Sequence, residues 1–295
     1  MKTSISWIVL LTLTPFLFAD EGGSWNVRDH IPLREITVQA HRGAGELAPE
    51  NSLEAFEVAW NLGAIPEADI RMTRDGVIVS FHDNDFSRIL PTASDEMKKK
   101  GIKDLSYEEV LKLDIGAWKG QEFAGQRVPS VQAIVEVLKK HPERKVYVDI
   151  KNVDFEQLAR ESQGVHAQMI LASTKYEEIE HWKKVAPESF TLHWMGGTEE
   201  KLTERLERLA KNQFRGIDQL QIHVRIDKDG NFSPSEAFLR NTGNTLRKYG
   251  ILYQVLPWGG KEADVYRRLL DLGVASFATD YPNVTMEAII EYYKK

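Results

Sequence analysis

The chain of 295 residues contains no cysteine. Disulfide bonds, thiolate nucleophiles, cysteine-ligated zinc and a lipid anchor on an N-terminal cysteine are therefore excluded. An excess of positive charge is also missing, because 38 basic side chains stand against 44 acidic ones and the basic residues are dispersed. This balance argues against a partner nucleic acid. What remains, 42% hydrophobic and 28% charged residues, is typical of a globular protein.

The sequence has no apolar run of the length that a membrane span needs, since Ile5–Phe18 is too short. With Lys2 before it and Ala19 after it, this segment has the pattern of a cleaved signal peptide. We predict a signal peptide over residues 1–19 and an exported protein, periplasmic or secreted, without stable membrane insertion after cleavage. The alternative is an uncleaved amphiphilic anchor. Residues 20–35 are predicted to form a polar lead-in.

Short apolar runs alternate with amphipathic segments along the rest of the chain. The predicted strands are Ile36–His41, Ile65–Met72, Val146–Ile150, Gln168–Ala172, Phe190–Trp194, Ile217–His223, Ile251–Leu256 and Ala275–Thr279. The predicted helices are Ser52–Leu62, Val131–His141, Phe155–Ser162, Tyr176–Val185, Glu199–Asn212, Ser235–Tyr249, Lys261–Leu272 and Thr285–Lys294. Eight strands separated largely by helices favour an α/β fold, a (β/α)₈ TIM barrel, as one domain over residues 36–295. The main rival is an open doubly wound sheet, but no Gly-x-Gly-x-x-Gly sequence follows a strand.

A hairpin is predicted at Thr73-Arg74-Asp75-Gly76, which adds Val77–Phe81 as an antiparallel arm. If Asp75 and Gly76 form the turn, Asp69 lies opposite His82. A turn one residue earlier places Glu67 opposite His82 instead. Either register brings this histidine beside an acidic side chain.

Two local features complete the expected architecture. The segment from Asp83 to Ser130 is too long for an ordinary barrel loop, and we predict a small inserted subdomain over approximately residues 84–128, after the His-Asp strand. Such an insert forms a lid or a substrate wall, or else a surface excursion without a role. The first helix is predicted to begin with Asn51 as its cap and Glu54 reaching back to it.

Three acidic side chains are placed to bind a cation. Glu67 and Asp69 are two residues apart, so both point to the same face of a strand. Two carboxylates that face an apolar barrel interior are unfavourable unless a cation lies between them. Asp149, at the end of another apolar strand, supplies a third carboxylate. The pattern predicts a site for one divalent cation, Mg²⁺ or Ca²⁺, although a single acid of this kind is usually a surface residue.

Four further side chains suit chemistry on a phosphate ester. His41 ends the first strand and forms a candidate acid–base couple with His82, because imidazole titrates near neutral pH. Arg42 presents a planar fork to phosphate oxygens, and Lys151 adds a mobile positive charge. Together with the acids, they predict metal-assisted attack on a small-molecule phosphate ester.

Two later histidines, His193 and His223, lie near strand ends and are expected to line the same mouth on its substrate side. An exported protein that only binds a phosphorylated ligand is the alternative to an enzyme. Binding alone needs cations and backbone N–H groups, and it gains little from three acids and two histidines.

The order and spacing of these groups resemble the glycerophosphodiester phosphodiesterase family. The resemblance is carried by His41-Arg42-Gly43, Pro49-Glu50-Asn51-Ser52, Glu67-Ala68-Asp69, and Thr73-Arg74-Asp75-Gly76 leading to His82-Asp83. It continues at Leu105–Glu109, Asp114–Gly116, Arg127–Ser130, Asp149–Lys151, and from Gly273-Val274 to Thr279–Pro282. Residues 152–250 match weakly, so it covers a little over half of the chain.

The resemblance implies a (β/α)₈ barrel with a small inserted subdomain, a divalent cation, and hydrolysis of a glycerophosphodiester to sn-glycerol 3-phosphate and an alcohol. Carried over by position, it implies metal ligands (Glu67, Asp69, Asp149), an acid–base pair (His41, His82), phosphate-binding residues (Arg42, Lys151) and a late substrate-side tryptophan (Trp258). A related phospholipase D-like barrel enzyme acting on lipid headgroups is the second reading, but Phe81, Phe86, Trp118 and Phe123 are too scattered to define its hydrophobic face. No oligomeric state is predicted.

Three positions depart from the family's pattern. Asp149 stands where a longer glutamate is usual, so its reach to a metal is expected to need a water or a shifted strand. Pro66, directly before Glu67, is expected to distort its strand or place it at an edge. Trp258 is followed by Gly259-Gly260 rather than Thr-Val-Asn, which predicts an altered substrate wall and a different preferred alcohol.

Overall fold

The computed structural model describes residues 25–294, so the predicted signal peptide lies outside the described residues. The strands are β1 (Thr37–Ala40), β2 (Ile65–Met72), β3 (Ile78–Ser80), β4 (Val146–Asn152), β5 (Met169–Ser173), β6 (Phe190–Met195), β7 (Gln219–Ile226), β8 (Phe232–Ser233), β9 (Leu252–Trp258) and β10 (Ser276–Thr279). The α-helices are α1 (Val27–His30), α2 (Leu53–Asn61), α3 (Asp95–Lys98), α4 (Tyr107–Val110), α5 (Val131–Lys140), α6 (Phe155–Glu161), α7 (Tyr176–Val185), α8 (Glu199–Lys211), α9 (Glu236–Lys248), α10 (Ala263–Asp271) and α11 (Pro282–Lys294).

Eight strands pair in parallel to form a closed barrel, which confirms the predicted (β/α)₈ TIM fold. Their order around the barrel is β1, β2, β4, β5, β6, β7, β9 and β10, and β1 closes the ring by pairing with both β2 and β10. All eight are strands that the sequence predicted. β3 and β8 are short antiparallel additions to β2 and β7.

Polar N-terminal caps fix where the outer helices begin. Ser130, Asp154 and Thr198 each accept a backbone N–H from the third residue of the helix that follows. The first long helix is capped in this way by Ser52, whose Oγ accepts from Ala55 N at 3.1 Å. The prediction that Asn51 is the cap is therefore wrong.

Pro66 neither breaks its strand nor lies at an edge, contrary to the prediction. It is the second residue of β2, which runs between β1 and β4. The pairing with β1 extends over only two residues, from Gln39↔Ile65 to Ala40↔Pro66. A missing N–H is tolerated because the proline lies near the start of the strand, where little of the ladder depends on it.

The hairpin is present, but neither predicted register is correct. Ile70 pairs with Ser80 and Met72 with Ile78, so the paired positions are offset by one residue from both predictions. The physical reason is a three-residue loop, closed by Thr73 N–H donating to the Val77 carbonyl at 2.9 Å. Its last residue, Gly76, has φ 83°, the left-handed conformation on which a three-residue hairpin loop commonly ends.

The segment between β3 and α5 has a hydrophobic core of its own, distinct from the main core between the barrel and its helices. Its helices α3 and α4 are short, and Phe81 and Phe86 meet edge to face at 5.4 Å inside it. These two rings are therefore core residues and do not form an exposed hydrophobic face. Within residues 25–294, the helices are all too short or too polar to span a lipid bilayer.

Candidate active site

All eight predicted site residues line one cavity at the carboxyl ends of the barrel strands, the face where TIM-barrel enzymes carry their active sites. The cavity has a volume of about 100 Å³, and these eight are His41, Arg42, Glu67, Asp69, His82, Asp149, Lys151 and Trp258. They come from β1, β2, β4 and β9 and the segments that follow the strands. Residues far apart in sequence therefore meet because parallel strands end at one rim.

Three buried carboxylates form the floor of the charged part of this cavity. Oxygens of Glu67, Asp69 and Asp149 all lie within 4.8 Å of one another. The β2–β4 register places Asp69 directly beside Asp149, so the shorter side chain reaches the cluster without a shifted strand at that position. Burial and the neighbouring acids raise the pKa of Asp149 to about 7, and burial also raises the pKa of Glu67. Such a cluster of hard oxygen donors is stabilised by a cation.

Lys151 supplies a positive charge to two of these acids. Its Nζ lies 2.6 Å from Asp149 Oδ2 and 3.0 Å from Asp69 Oδ1. Burial acts to raise the pKa of Asp69, but this ammonium and the nearby His82 outweigh it and lower the pKa. Lys151 lies on the same face of β4 as Asp149, two residues away, which puts its ammonium at the edge of the acid cluster.

His41 is held by a carboxylate that sequence reasoning did not assign a role. Its Nδ1–H donates to Asp280 Oδ1 at 2.7 Å, and its Nε2 lies 3.8 Å from Glu67 Oε2. Burial alone lowers the pKa of His41, but the carboxylates of Glu67 and Asp280 outweigh it and raise the pKa to about 9. Asp280 follows β10, which pairs with β1, so its place beside His41 is a consequence of barrel closure.

His82 has the same kind of partner from its own neighbour. Its Nδ1–H donates to Asp83 Oδ1 at 2.7 Å, and its Nε2 accepts from Arg42 Nη2 at 3.0 Å. Arg71 fixes the backbone here by donating from Nε to the His82 carbonyl at 3.0 Å. Both catalytic candidates therefore present Nε2 to the cavity while a carboxylate orients Nδ1.

The backbone of Arg42, at the rim of the cavity, has a strained conformation. It has φ 54°, in the left-handed region that side chains other than glycine rarely adopt, and its backbone N–H donates to Glu67 Oε2 at 2.9 Å. Its Nε is buried and has no hydrogen-bond partner among the described residues. An arginine with an unused donor in an active-site cavity is suited to an anionic ligand.

Asn51 belongs to the site rather than to the helix that follows it. Its Nδ2 donates to Asp69 Oδ2 and its Oδ1 accepts from Asp69 N, both at 2.9 Å. The Ser80 hydroxyl donates to the same Oδ1 at 2.6 Å. This amide orients the Asp69 carboxylate and ties β2 to the antiparallel arm. The signal was present in the Pro-Glu-Asn-Ser motif, but capping offered a local explanation for it.

A closed ring of hydrogen bonds joins the insert to His82 and Arg42. Arg88, from the insert, donates from Nε to Asp83 at 2.8 Å and from both Nη atoms to Glu50 at 2.7 Å. Glu50 in turn accepts from Arg42 at 3.3 Å, and Arg42 donates to His82. The guanidinium of Arg88 thus fixes the carboxylates that orient a histidine and an arginine of the cavity.

Replacing Arg88 by glutamine is expected to lower kcat by about tenfold to a hundredfold, because small displacements of reacting groups carry penalties of this size. KM is expected to change less, since Arg88 borders the wider cavity but does not line the barrel cavity that contains the acid cluster. Steady-state kinetics on a phosphodiester substrate measure both constants. The matched control is Arg74→Gln, which removes a guanidinium bound to Glu109 and the Asp104 carbonyl elsewhere in the insert. Equal losses in the two variants would mean that the insert is simply destabilised.

Of the two later histidines, His223 lines the barrel cavity and His193 does not. His223 lines the cavity, stacked on Trp194 at 4.8 Å and edge-on to Trp258 at 5.5 Å. His193 does not line it, so that prediction is wrong. Its Nδ1–H donates to the Ser173 carbonyl at 3.0 Å, and burial lowers its pKa to about 4. The reason is strand alternation, because its neighbours Leu192 and Trp194 are the β6 residues that point into the cavity.

A second, wider cavity opens beside the first. It has a volume of about 580 Å³ and lies between the loop after β1 and the insert. His41, Arg42 and Trp258 line both cavities, so these residues stand at the passage between them. The Trp118 ring forms part of the insert wall, with the Arg88 guanidinium 5.5 Å from its centroid.

Three buried carboxylates, two histidines held by carboxylates, and basic side chains meet at one rim of this TIM barrel. This combination is typical of a phosphodiesterase of the barrel type. The family model described as "Glycerophosphoryl diester phosphodiesterase family" matches residues 41–284. The chain belongs to that family and is an enzyme of this hydrolase class, as the sequence motifs predicted.

Known proteins agree with this assignment. The chain is 25% identical over 276 residues to a glycerophosphodiester phosphodiesterase of Bacillus subtilis, covering 86% of each chain. It is 32% identical over 168 residues to one of Caldanaerobacter subterraneus, covering 51% of this chain and 63% of that one. Among solved structures, the Agrobacterium tumefaciens glycerophosphodiester phosphodiesterase superposes with a TM-score of 0.65 at 23% identity, covering 85% and 99%. An Oleispira antarctica phosphodiesterase in complex with the product sn-glycerol-3-phosphate gives 0.64 at 24% identity, covering 86% and 96%.

Proposed function

We propose that this protein hydrolyses glycerophosphodiesters to sn-glycerol 3-phosphate and an alcohol, with one divalent cation at the acid cluster. The observation that carries the proposal is that two imidazoles, each oriented by its own carboxylate, share one cavity with three buried carboxylates. The product in the Oleispira antarctica complex is the compound that we expect this site to release. A protein that only binds phosphate has no use for that arrangement.

Glu67, Asp69 and Asp149 are the residues that we assign to the cation, Mg²⁺ or Ca²⁺. The donor set fits, because it consists of carboxylate oxygens within 4.8 Å of one another, and burial makes their charges costly when no cation is bound. A bound divalent ion supplies positive charge beside the phosphate as negative charge develops on its oxygens. Arg42 and Lys151 add the remaining cationic contacts to the phosphate.

The hydrogen bonds suggest different roles for the two histidines. His82 accepts from Arg42 at Nε2, so that nitrogen is unprotonated, and its lone pair can take the proton of the attacking oxygen once Arg42 turns to the phosphate. Burial acts to lower the pKa of His41, but the carboxylates of Glu67 and Asp280 outweigh it and raise this pKa, which favours the protonated ring. That ring can give a proton from Nε2 to the leaving alcohol oxygen. We therefore assign His82 as general base and His41 as general acid.

The two cavities fit the two halves of the substrate. The barrel cavity is small and closed below by strand residues, which suits the three-carbon glycerol moiety. The wider cavity, on the other side of His41, accommodates alcohols of different size, and Trp258 borders both. We place the glycerol phosphate in the barrel and the leaving alcohol beside the insert.

Release of glycerol 3-phosphate from glycerophosphocholine tests the proposed function. We expect turnover with Mg²⁺ or Ca²⁺ and a loss of at least a hundredfold after treatment with a chelator, because the cation contributes several kcal/mol of charge stabilisation. A coupled assay for glycerol 3-phosphate measures the rate, and restoration by added metal is the control. Tight binding of glycerophosphocholine without release of product would leave only the phosphate-binding alternative.

We also propose that residues 1–19 direct export to the periplasm or the cell exterior and are then removed. The support is the sequence pattern of a short cationic start, an apolar run and a small residue before Asp20. The lipid-headgroup alternative depended on an exposed hydrophobic face, and the burial of Phe81 and Phe86 in the insert core does not favour it.

A further inference from the structure

Gln39, in the barrel interior, has a buried side-chain oxygen that forms no hydrogen bond with the described residues. Gln39 is 2% exposed and lines the barrel cavity. Its Oε1 is buried without a hydrogen-bond partner in the part of the chain that the structure describes. A buried amide oxygen of this kind costs folding free energy, so its presence in an active-site cavity calls for an explanation.

Gln39 lies deeper in the barrel than the catalytic candidates because of its position on β1. It lies two residues before His41, and alternate residues of a strand point to the same face. The rise of about 3.3 Å per residue puts its Cα about 7 Å deeper in the barrel than that of His41. The flanking strands place Ala278 and Ile65 beside it, and neither side chain can hydrogen-bond to its amide.

Other glutamines of the barrel interior have partners. Gln254 donates to Ser276 Oγ at 2.8 Å and to Tyr147 Oη at 3.2 Å, and it accepts from Gln221. Gln219 accepts from Tyr147 Oη at 2.8 Å. These side chains form a satisfied polar layer across the barrel. Polar side chains in this interior are therefore paired as a rule, and the unpaired oxygen of Gln39 needs a separate explanation.

We propose that Gln39 is a specificity-determining residue whose carboxamide binds a hydroxyl group of the glycerol moiety. This inference rests on the proposed function and names the part of the substrate that the barrel cavity recognises. A hydroxyl can donate to the unpaired Oε1, whereas an alkyl chain cannot. The nearby apolar walls, which include Leu192 and Leu256, cover the carbon atoms of a short polyol.

The test compares two substrates in two proteins. One substrate is glycerophosphocholine, and the other is propylphosphocholine, which lacks both glycerol hydroxyls but keeps the phosphate and the leaving alcohol. For the natural protein we expect a clear preference in kcat/KM for the glycerol compound, because a site built around a hydroxyl rejects an analogue without it. Gln39→Met, similar in length but unable to hydrogen-bond, is expected to reduce this preference by about tenfold or more, with little change on the propyl compound.

Thermal unfolding supplies a readout independent of catalysis. Gln39→Met is expected to leave Tm unchanged or to raise it, because it removes an unpaired buried oxygen. The matched variant Gln254→Met is expected to lower Tm, since it removes the hydrogen bonds that Ser276, Tyr147 and Gln221 make to this amide. Gln39→Leu repeats the measurement with a second apolar side chain of similar size.

The outcomes separate the two proposals. If the natural protein releases no glycerol 3-phosphate from any glycerophosphodiester, the proposed function fails. If it does so but Gln39→Met and Gln39→Leu keep the full preference for the glycerol compound, or lose stability as Gln254→Met does, the inference about Gln39 is overturned. A reduced preference together with an undiminished Tm supports it.

Discussion

Replacing His41 by asparagine is expected to lower kcat on a glycerophosphodiester by about a thousandfold, the range in which a positioned general acid acts. Asparagine keeps a side chain that can hydrogen-bond to Asp280, so the closure between β1 and β10 is preserved. It cannot deliver a proton to the leaving oxygen. KM is expected to change by much less, because the variant retains Arg42 and Lys151, the residues that we propose bind the phosphate.

The comparison for this variant is His223→Asn in the same cavity. His223 hydrogen-bonds to Gln221 at 3.0 Å rather than to a carboxylate, and burial lowers its pKa to about 4. We expect a loss of about tenfold or less there, consistent with altered substrate contacts instead of lost proton transfer. If the two variants lost activity equally, the assignment of His41 as general acid would be wrong.

Replacing Asp69 by asparagine is expected to abolish tight binding of the divalent cation and to lower kcat/KM by about a thousandfold, since charge stabilisation by a metal contributes several kcal/mol. Asp69 is central to the site, because it meets Asp149, Lys151 and Asn51. Calorimetric titration with Mg²⁺ and Ca²⁺ measures the affinity, and product release measures the activity.

The affinity for the cation should also depend on pH. The pKa of Asp149 is raised to about 7, so below that pH a proton competes with the metal for its carboxylate. We expect the affinity to fall as pH decreases through 7, approaching about tenfold per pH unit when one proton is displaced. An affinity that is flat between pH 6 and pH 8 would contradict this assignment.

Asp218→Asn is the control for both metal experiments. This aspartate lies at the opposite end of the barrel, where it accepts from Thr191 N and pairs with Lys183, each at 2.8 Å. Its replacement is expected to lower stability while cation affinity and its pH dependence stay unchanged, because residues at that face of a TIM barrel contribute to stability rather than to the active site. A parallel loss of metal binding in this variant would show that the Asp69 effect is not local.

The sequence alone determined the element order and the main chemical groups. Eight barrel strands were predicted from apolar runs, because a strand buried on both faces requires such a run whatever its neighbours are. Glu67 and Asp69 could be placed on one face for a similar reason, since alternation along a strand is a local property. The local motifs sufficed to bring these acids together with His41 and His82 in one prediction.

Only the tertiary structure decided which groups support them. Asp280 meets His41 from 239 positions away through barrel closure, and Arg88 reaches Asp83 and Glu50 through the fold of the insert. Asn51 was misassigned because a cap is a local explanation, whereas its actual partner on β2 is 18 residues distant.

The same limit applies to side-chain direction. His193 and His223 look equivalent in the sequence, and one of them points out of the barrel because register and the barrel's curvature, set by neighbouring strands, choose the inward face. The unpaired oxygen of Gln39 likewise becomes visible only when every strand around it is in place. Local patterns determine what each segment can be, but hydrogen-bond partners depend on distances between segments, which only the packed chain fixes.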